Sequence, residues 1–167
     1  MTCYVISNRD NSLPFQRYKR CNEFIEFKRL LFSKIQNLIF SGYDTFITGL
    51  VDGIDCDLAE AAIHFRDVEL YDISLECALP CIFKAPRQKS EKYLYRLYLI
   101  GMCDDIHIIS SHYHKGCTQK RNEAMIDKAD LLLVIWNGKK QGIIWDSIKY
   151  ATKQGTPIEY ILLADFK

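Results

Sequence analysis

Two short stretches of the chain hold most of the residues able to grip an anion. In Thr48-Gly49-Leu50-Val51-Asp52-Gly53-Ile54-Asp55, two glycines sit in a turn that leads from an apolar run into a helical pattern. Backbone N–H groups at such a helix start have no partner inside the helix and point outward, which favours a phosphate or a carboxylate. A tight strand-to-helix turn without any ligand accounts for the same spacing. Further along, Asn137-Gly138 and Gln141-Gly142 repeat the arrangement, and Asp146 lies one turn beyond Gly142. That acid either points back at a ligand or complements the helix dipole.

A third group runs from Tyr113-His114-Lys115-Gly116-Cys117 to Arg121-Asn122. A base stacks on a tyrosine ring and a phosphate pairs with a guanidinium, so the group suits a nucleotide. An ion pair across a helix would employ Arg121 equally well, and Asn122 would serve as a cap. His112, His114 and Cys117 offer metal-ligand spacing but lack a fourth partner, so no metal is expected. Neither the dinucleotide glycine fingerprint nor the P-loop pattern occurs.

The elements that must position these groups alternate along the chain. Strand patterns fall at Cys3 to Ser7, Asp44 to Thr48, Leu75 to Phe83 (interrupted or ended near Pro80), Ile106 to Ser110, Leu131 to Trp136 and Ile158 to Leu163. Helical periodicity fills Asn22 to Ser41, Ile54 to Phe65, Lys89 to Asp104, Thr118 to Ala129 and Gly142 to Gln154. Leu131 to Trp136 has no polar alternation, as befits a strand covered on both faces. The expected fold is therefore an α/β, doubly wound, mainly parallel sheet of about six strands with helices on both faces, formed as one domain over residues 1–167. Ligands of such sheets bind beyond the carboxyl ends of the strands, where strand order reverses.

Twenty-two basic and twenty-one acidic residues leave a charge of +1, so the chain has no global field for nucleic acid or an anionic membrane. Arg17, Lys19, Arg20, Lys28 and Arg29 are interrupted by Glu23 and Glu26 and read as a solvated helix face. The seven cysteines are odd in number and irregularly spaced, and Cys77 and Cys81 read as buried small residues. A reduced cytoplasmic protein without a leader or a membrane span is expected.

Taken in order, these motifs resemble the SLOG superfamily, named for the Smf/DprA and LOG proteins, and its YpsA-like branch in particular. The match runs through Thr48 to Asp55 with Ala59-Glu60-Ala61, Tyr113 to Cys117 with Arg121-Asn122, and Ala129 to Val134 with Asn137-Gly138 and Tyr150-Ala151. Ser7-Asn8-Arg9 stands where relatives often have Gly-His-Arg, and Gln141-Gly142-Ile143 where they often have Gly-Gly-Thr.

The resemblance implies a Rossmann-like domain that senses a nucleotide or nucleotide-derived ligand, without catalysis and with no separate cofactor. The residues it assigns to that ligand are Arg9, Thr48, Gly49, Asp52, Gly53, Asp55, Tyr113, Arg121, Asn122, Asn137, Gly138 and Gly142. Two other readings stand beside it. One is a LOG-like enzyme that hydrolyses the N-glycosidic bond of a nucleoside monophosphate, with Asp146 in the place of a glutamate. The other is DprA-like binding of single-stranded DNA, for which Lys92, Tyr93, Tyr95, Arg96 and Tyr98 supply a basic aromatic helix. A homo-oligomer is compatible with all three.

Overall fold

The structure is a computed structural model that describes residues 1–9, 13–14, 22–51, 53–82 and 90–166. Strands β1 (Thr2–Ser7), β2 (Thr45–Thr48), β3 (Ser74–Leu79), β4 (Asp105–Ile108), β5 (Leu131–Trp136) and β6 (Ile158–Leu162) alternate with helices α1 (Asn22–Phe40), α2 (Gly53–Asp67), α3 (Glu91–Gly101), α4 (Cys117–Ile126) and α5 (Gly142–Gln154). The strands form one parallel sheet in the order β4-β3-β2-β1-β5-β6. Winding proceeds outward from β1 to β4, then crosses back to β5 on the other side of β1. With right-handed crossovers, that reversal puts α1, α2 and α3 on one face and α4 and α5 on the other.

The two faces have separate cores. Phe27, Leu31 and Ile35 of α1 and Leu58, Ala62 and Phe65 of α2 pack on Cys3, Val5, Phe46, Leu133 and Ile135. Met125 of α4 and Ile144 and Ile148 of α5 pack on Tyr4, Ile6, Ile47, Leu132 and Val134. Alternate residues of β5 thus feed opposite cores, which explains its unbroken apolar run. The third strand stops at Leu79, before Pro80, and α3 starts at a Ser90 cap whose hydroxyl accepts the Tyr93 N–H at 3.2 Å. Both are shorter than periodicity suggests, because Pro80 cannot donate to a ladder and the cap fixes the helix start. No helix among the described residues is long and apolar enough to cross a membrane.

Candidate functional site

The reversal of strand order lies between β1 and β5, so the loops that leave these strands diverge and open a crevice. Asn8 ties its near wall together: its N–H donates to Ile135 O at 3.0 Å, and its Oδ1 accepts the Asn137 N–H at 2.8 Å. The crevice forms a cavity of about 330 Å³. Ser7 and Arg9 line it from the end of β1, Gly49 and Val51 from the turn after β2, Asp55 from α2, Thr118, Arg121 and Asn122 from α4, and Gln141 to Ile144 from the start of α5.

Its floor is a buried polar network. Arg121 is 5% exposed, and its guanidinium donates to neutral acceptors only: Nε and Nη2 to Asn122 Oδ1 at 3.0 and 2.7 Å, and Nη1 to Ala78 O at 3.4 Å. Among the described residues no carboxylate lies within ion-pair distance of it. Asn122 Oδ1 also accepts the Tyr4 hydroxyl at 2.8 Å, while its Nδ2 donates to Ser147 Oγ at 2.8 Å, which in turn donates to Ile143 O. Burial, foremost, pushes the Tyr4 phenol up to about 12, so Tyr4 stays a donor at neutral pH.

The turn after β2 is shaped by this guanidinium. A β-carbon on Gly49 would overlap Arg121 Nη1 and stand 3.0 Å from its Cζ, so only glycine lets the side chain lie there. Leu50, wholly buried, follows with φ +45°, a left-handed conformation that costs a non-glycine residue about 1–2 kcal/mol. Asp55 sits 7% exposed, accepting the Ser7 hydroxyl at 2.5 Å and the Val51 N–H at 2.9 Å. The cavity thus presents a cationic floor and an anionic side. Gly142, at φ +76°, turns the chain into α5 at the opposite rim.

Of the residues singled out by sequence, Arg9, Gly49, Asp55, Arg121, Asn122 and Gly142 line this cavity. Thr48 is buried behind it, its hydroxyl accepting the Leu50 N–H at 3.4 Å, and Gly53 starts α2 in a buried position. Asn137 braces the rim through Asn8 without lining the cavity, and Gly138 is exposed beyond it. Tyr113 is 75% exposed and outside the lining. Asp52 lies outside the described residues, as do Arg17, Lys19 and Arg20. Asp146 is half exposed, outside the lining, and paired with Lys149 at 2.8 Å, where helix-surface spacing places it.

Tyr4 and Ser147 belong to the site's support and escaped the sequence reading. A tyrosine inside a central strand carries a hydroxyl that needs a buried partner, and this was the available signal. His112 bonds Ser111 and His114 bonds Ser110 and the Lys115 carbonyl, so these imidazoles do not gather with Cys117. Glu76, Asp105 and His107 do bring donor atoms within 4.8 Å of one another, on the β3–β4 edge away from the cavity.

Beside the cavity rim, Trp136 and Trp145 stack at 5.9 Å with their planes 7° apart, and Lys140 Nζ lies 5.6 Å from the Trp145 ring centre. A wider groove of about 710 Å³ runs between α1 and α2 past Phe24, Phe32 and Phe65. Its Lys28 is held by Asp57 at 3.2 Å and Glu60 at 2.8 Å, so its cation is already neutralised, and the smaller cavity at the strand-order reversal is the candidate site.

The architecture and the position of the crevice define a Rossmann-like α/β fold. A solved structure with the same fold is DNA processing protein A from Helicobacter pylori, described for its single-stranded DNA binding mode. The likeness has a TM-score of 0.59 at 14% identity, covers 96% of this chain, and spans 64% of that protein's length, so it is a likeness of fold. No protein-family model and no curated protein matches the chain in sequence.

Proposed function

We propose that the cavity binds the phosphate-bearing part of a nucleotide or nucleotide-derived ligand, and that the domain is a non-catalytic binder or sensor. One observation carries this reading: Arg121 is a buried cation facing the cavity, and among the described residues no carboxylate lies within ion-pair distance of it. A guanidinium removed from water is costly when unpaired, and an arriving phosphate offsets that cost with two-pronged, charge-assisted hydrogen bonds. The volume, about 330 Å³, is at the small end for ligand pockets and suits one nucleotide-sized group. Arg9 in the lining adds a second cation, and the Asp55 carboxylate in the same lining supports the reading as an acceptor for sugar hydroxyls or an exocyclic amine. Membership of the SLOG superfamily, and of its YpsA-like branch, is part of the same proposal.

The test is a thermal-shift and calorimetric screen against inorganic phosphate and nucleoside mono-, di- and triphosphates. A ligand at 100 times its Kd adds about 2.7 kcal/mol of stability. Saturable binding that Arg121→Gln abolishes supports the reading, and silence across the panel rejects it.

A second reading, single-stranded DNA, is favoured by the Trp136–Trp145 stack with Lys140 over it, next to the rim residues Gln141 and Gly142. Stacked indoles and lysines are the ordinary means of holding a strand whose phosphate enters a basic pocket, and the fold neighbour binds single-stranded DNA. Oligonucleotide retardation that weakens steeply with salt and with Trp145→Ala distinguishes it from mononucleotide binding. N-glycosidic hydrolysis has less support, since Asp146 stands outside the cavity.

A further inference from the structure

The edge of the sheet at β4 carries an apolar surface that the cavity does not use. Leu94, Leu97 and Tyr98 of α3 are 49%, 44% and 58% exposed, and Tyr95 stacks on Tyr98 at 6.2 Å. At 100° per residue, these four side chains and Gly101 occupy one arc of about 160°, and the inward Leu99 lies just beyond its Tyr95 edge. In a surface helix this arc is normally polar. Ile106 and Ile108 of β4, 41% and 50% exposed, continue the surface. They pair in register with Cys77 and Leu79, which share a core with Leu99, so both isoleucines face the α3 side of the sheet.

We propose that this α3–β4 face is the interface of a symmetric homodimer. Six large side chains about half exposed present about 500 Å² of apolar area, at the upper end of what a monomer leaves bare and over half of the roughly 800 Å² per partner in a stable complex. Leu94, Leu97, Tyr98 and Gly101 at the centre of the arc carry no charge, while the exposed Glu91 of the first turn falls between Tyr98 and Tyr95, a composition that matches a homodimer interface with an apolar centre and a charged margin. A β-carbon on Gly101 would meet nothing within 4 Å, so a helix from a second copy has room to approach there. Such a two-fold contact is isologous, with α3 meeting α3.

Sedimentation velocity on the full chain tests this between about 1 and 200 µM, a range that spans ordinary dimer affinities. The expected result is a species of twice the 19.5 kDa chain mass. Leu97→Glu and Gly101→Trp, both at exposed positions, are expected to give monomers with the wild-type circular dichroism spectrum and at least about a 100-fold weaker association. A wild-type chain that stays monomeric throughout, or a dimer that both variants leave intact, overturns the proposal.

Discussion

Gly49 and Arg121 are fitted to each other: the space where residue 49 would carry a β-carbon is filled by the Arg121 guanidinium. Gly49→Ala therefore forces the arginine aside rather than merely stiffening a turn. The expected cost is about 1–3 kcal/mol of stability, from overpacking, with at least a tenfold loss of phosphate binding. Urea unfolding and titration of the same variant read both effects.

Asn122 has the most polar contacts on the cavity floor. Asn122→Leu removes the acceptor shared by Tyr4 and Arg121 and the donor to Ser147, stranding buried groups. About 3–5 kcal/mol is expected to be lost, a fall in Tm of more than about 6 °C for a chain of this size.

Tyr4 makes stability depend on alkaline pH. Its phenol ionises near 10 when unfolded and near 12 in the fold, mainly because of burial. Its contribution is therefore complete below about pH 10 and is lost as pH rises toward 12, by about 2–3 kcal/mol. Tyr4→Phe is expected to cost about 1 kcal/mol at pH 7 and to flatten the decline above pH 10, as denaturation across pH will report. Cys3, pushed up to about 12 chiefly by burial, leaves a residual slope that begins nearer pH 9.

Asp146→Asn is expected to change stability by no more than about 0.5 kcal/mol, since it removes only a half-exposed helix-surface pair with Lys149. Nucleotide binding is expected to be unchanged. Release of free base from a nucleoside monophosphate by the wild type, lost in this variant, would instead revive the hydrolase reading.

The alternation of elements was legible because each short apolar run and each 3.6-residue stripe is a local property. The full length of α5, Gly142–Gln154, was readable from its glycine entry and its Gly155-Thr156-Pro157 exit. The glycine turn after β2 was also legible as a tight strand-to-helix turn, and it lines the cavity, but its physical reason was not legible. Gly49 is needed for the approach of Arg121, 72 positions away in sequence, and only the sheet order brings the two together. Long-range pairing likewise hid the Tyr4–Asn122 bond, which joins residues 118 apart. Proximity in sequence to Arg121 and Gly142 suggests Tyr113 and Asp146 as site residues, yet the loop leaves Tyr113 exposed and Asp146 pairs with Lys149 on the helix surface, both outside the cavity lining.

The central claim is that Arg121 is an anion receptor, and isothermal titration of wild type and Arg121→Gln with the nucleotide that gives the largest thermal shift tests it most directly. Loss of one charge-assisted contact of about 1.5–3 kcal/mol predicts an affinity reduced by about 10- to 150-fold in a variant that remains folded. Equal affinities in the two proteins would contradict the claim.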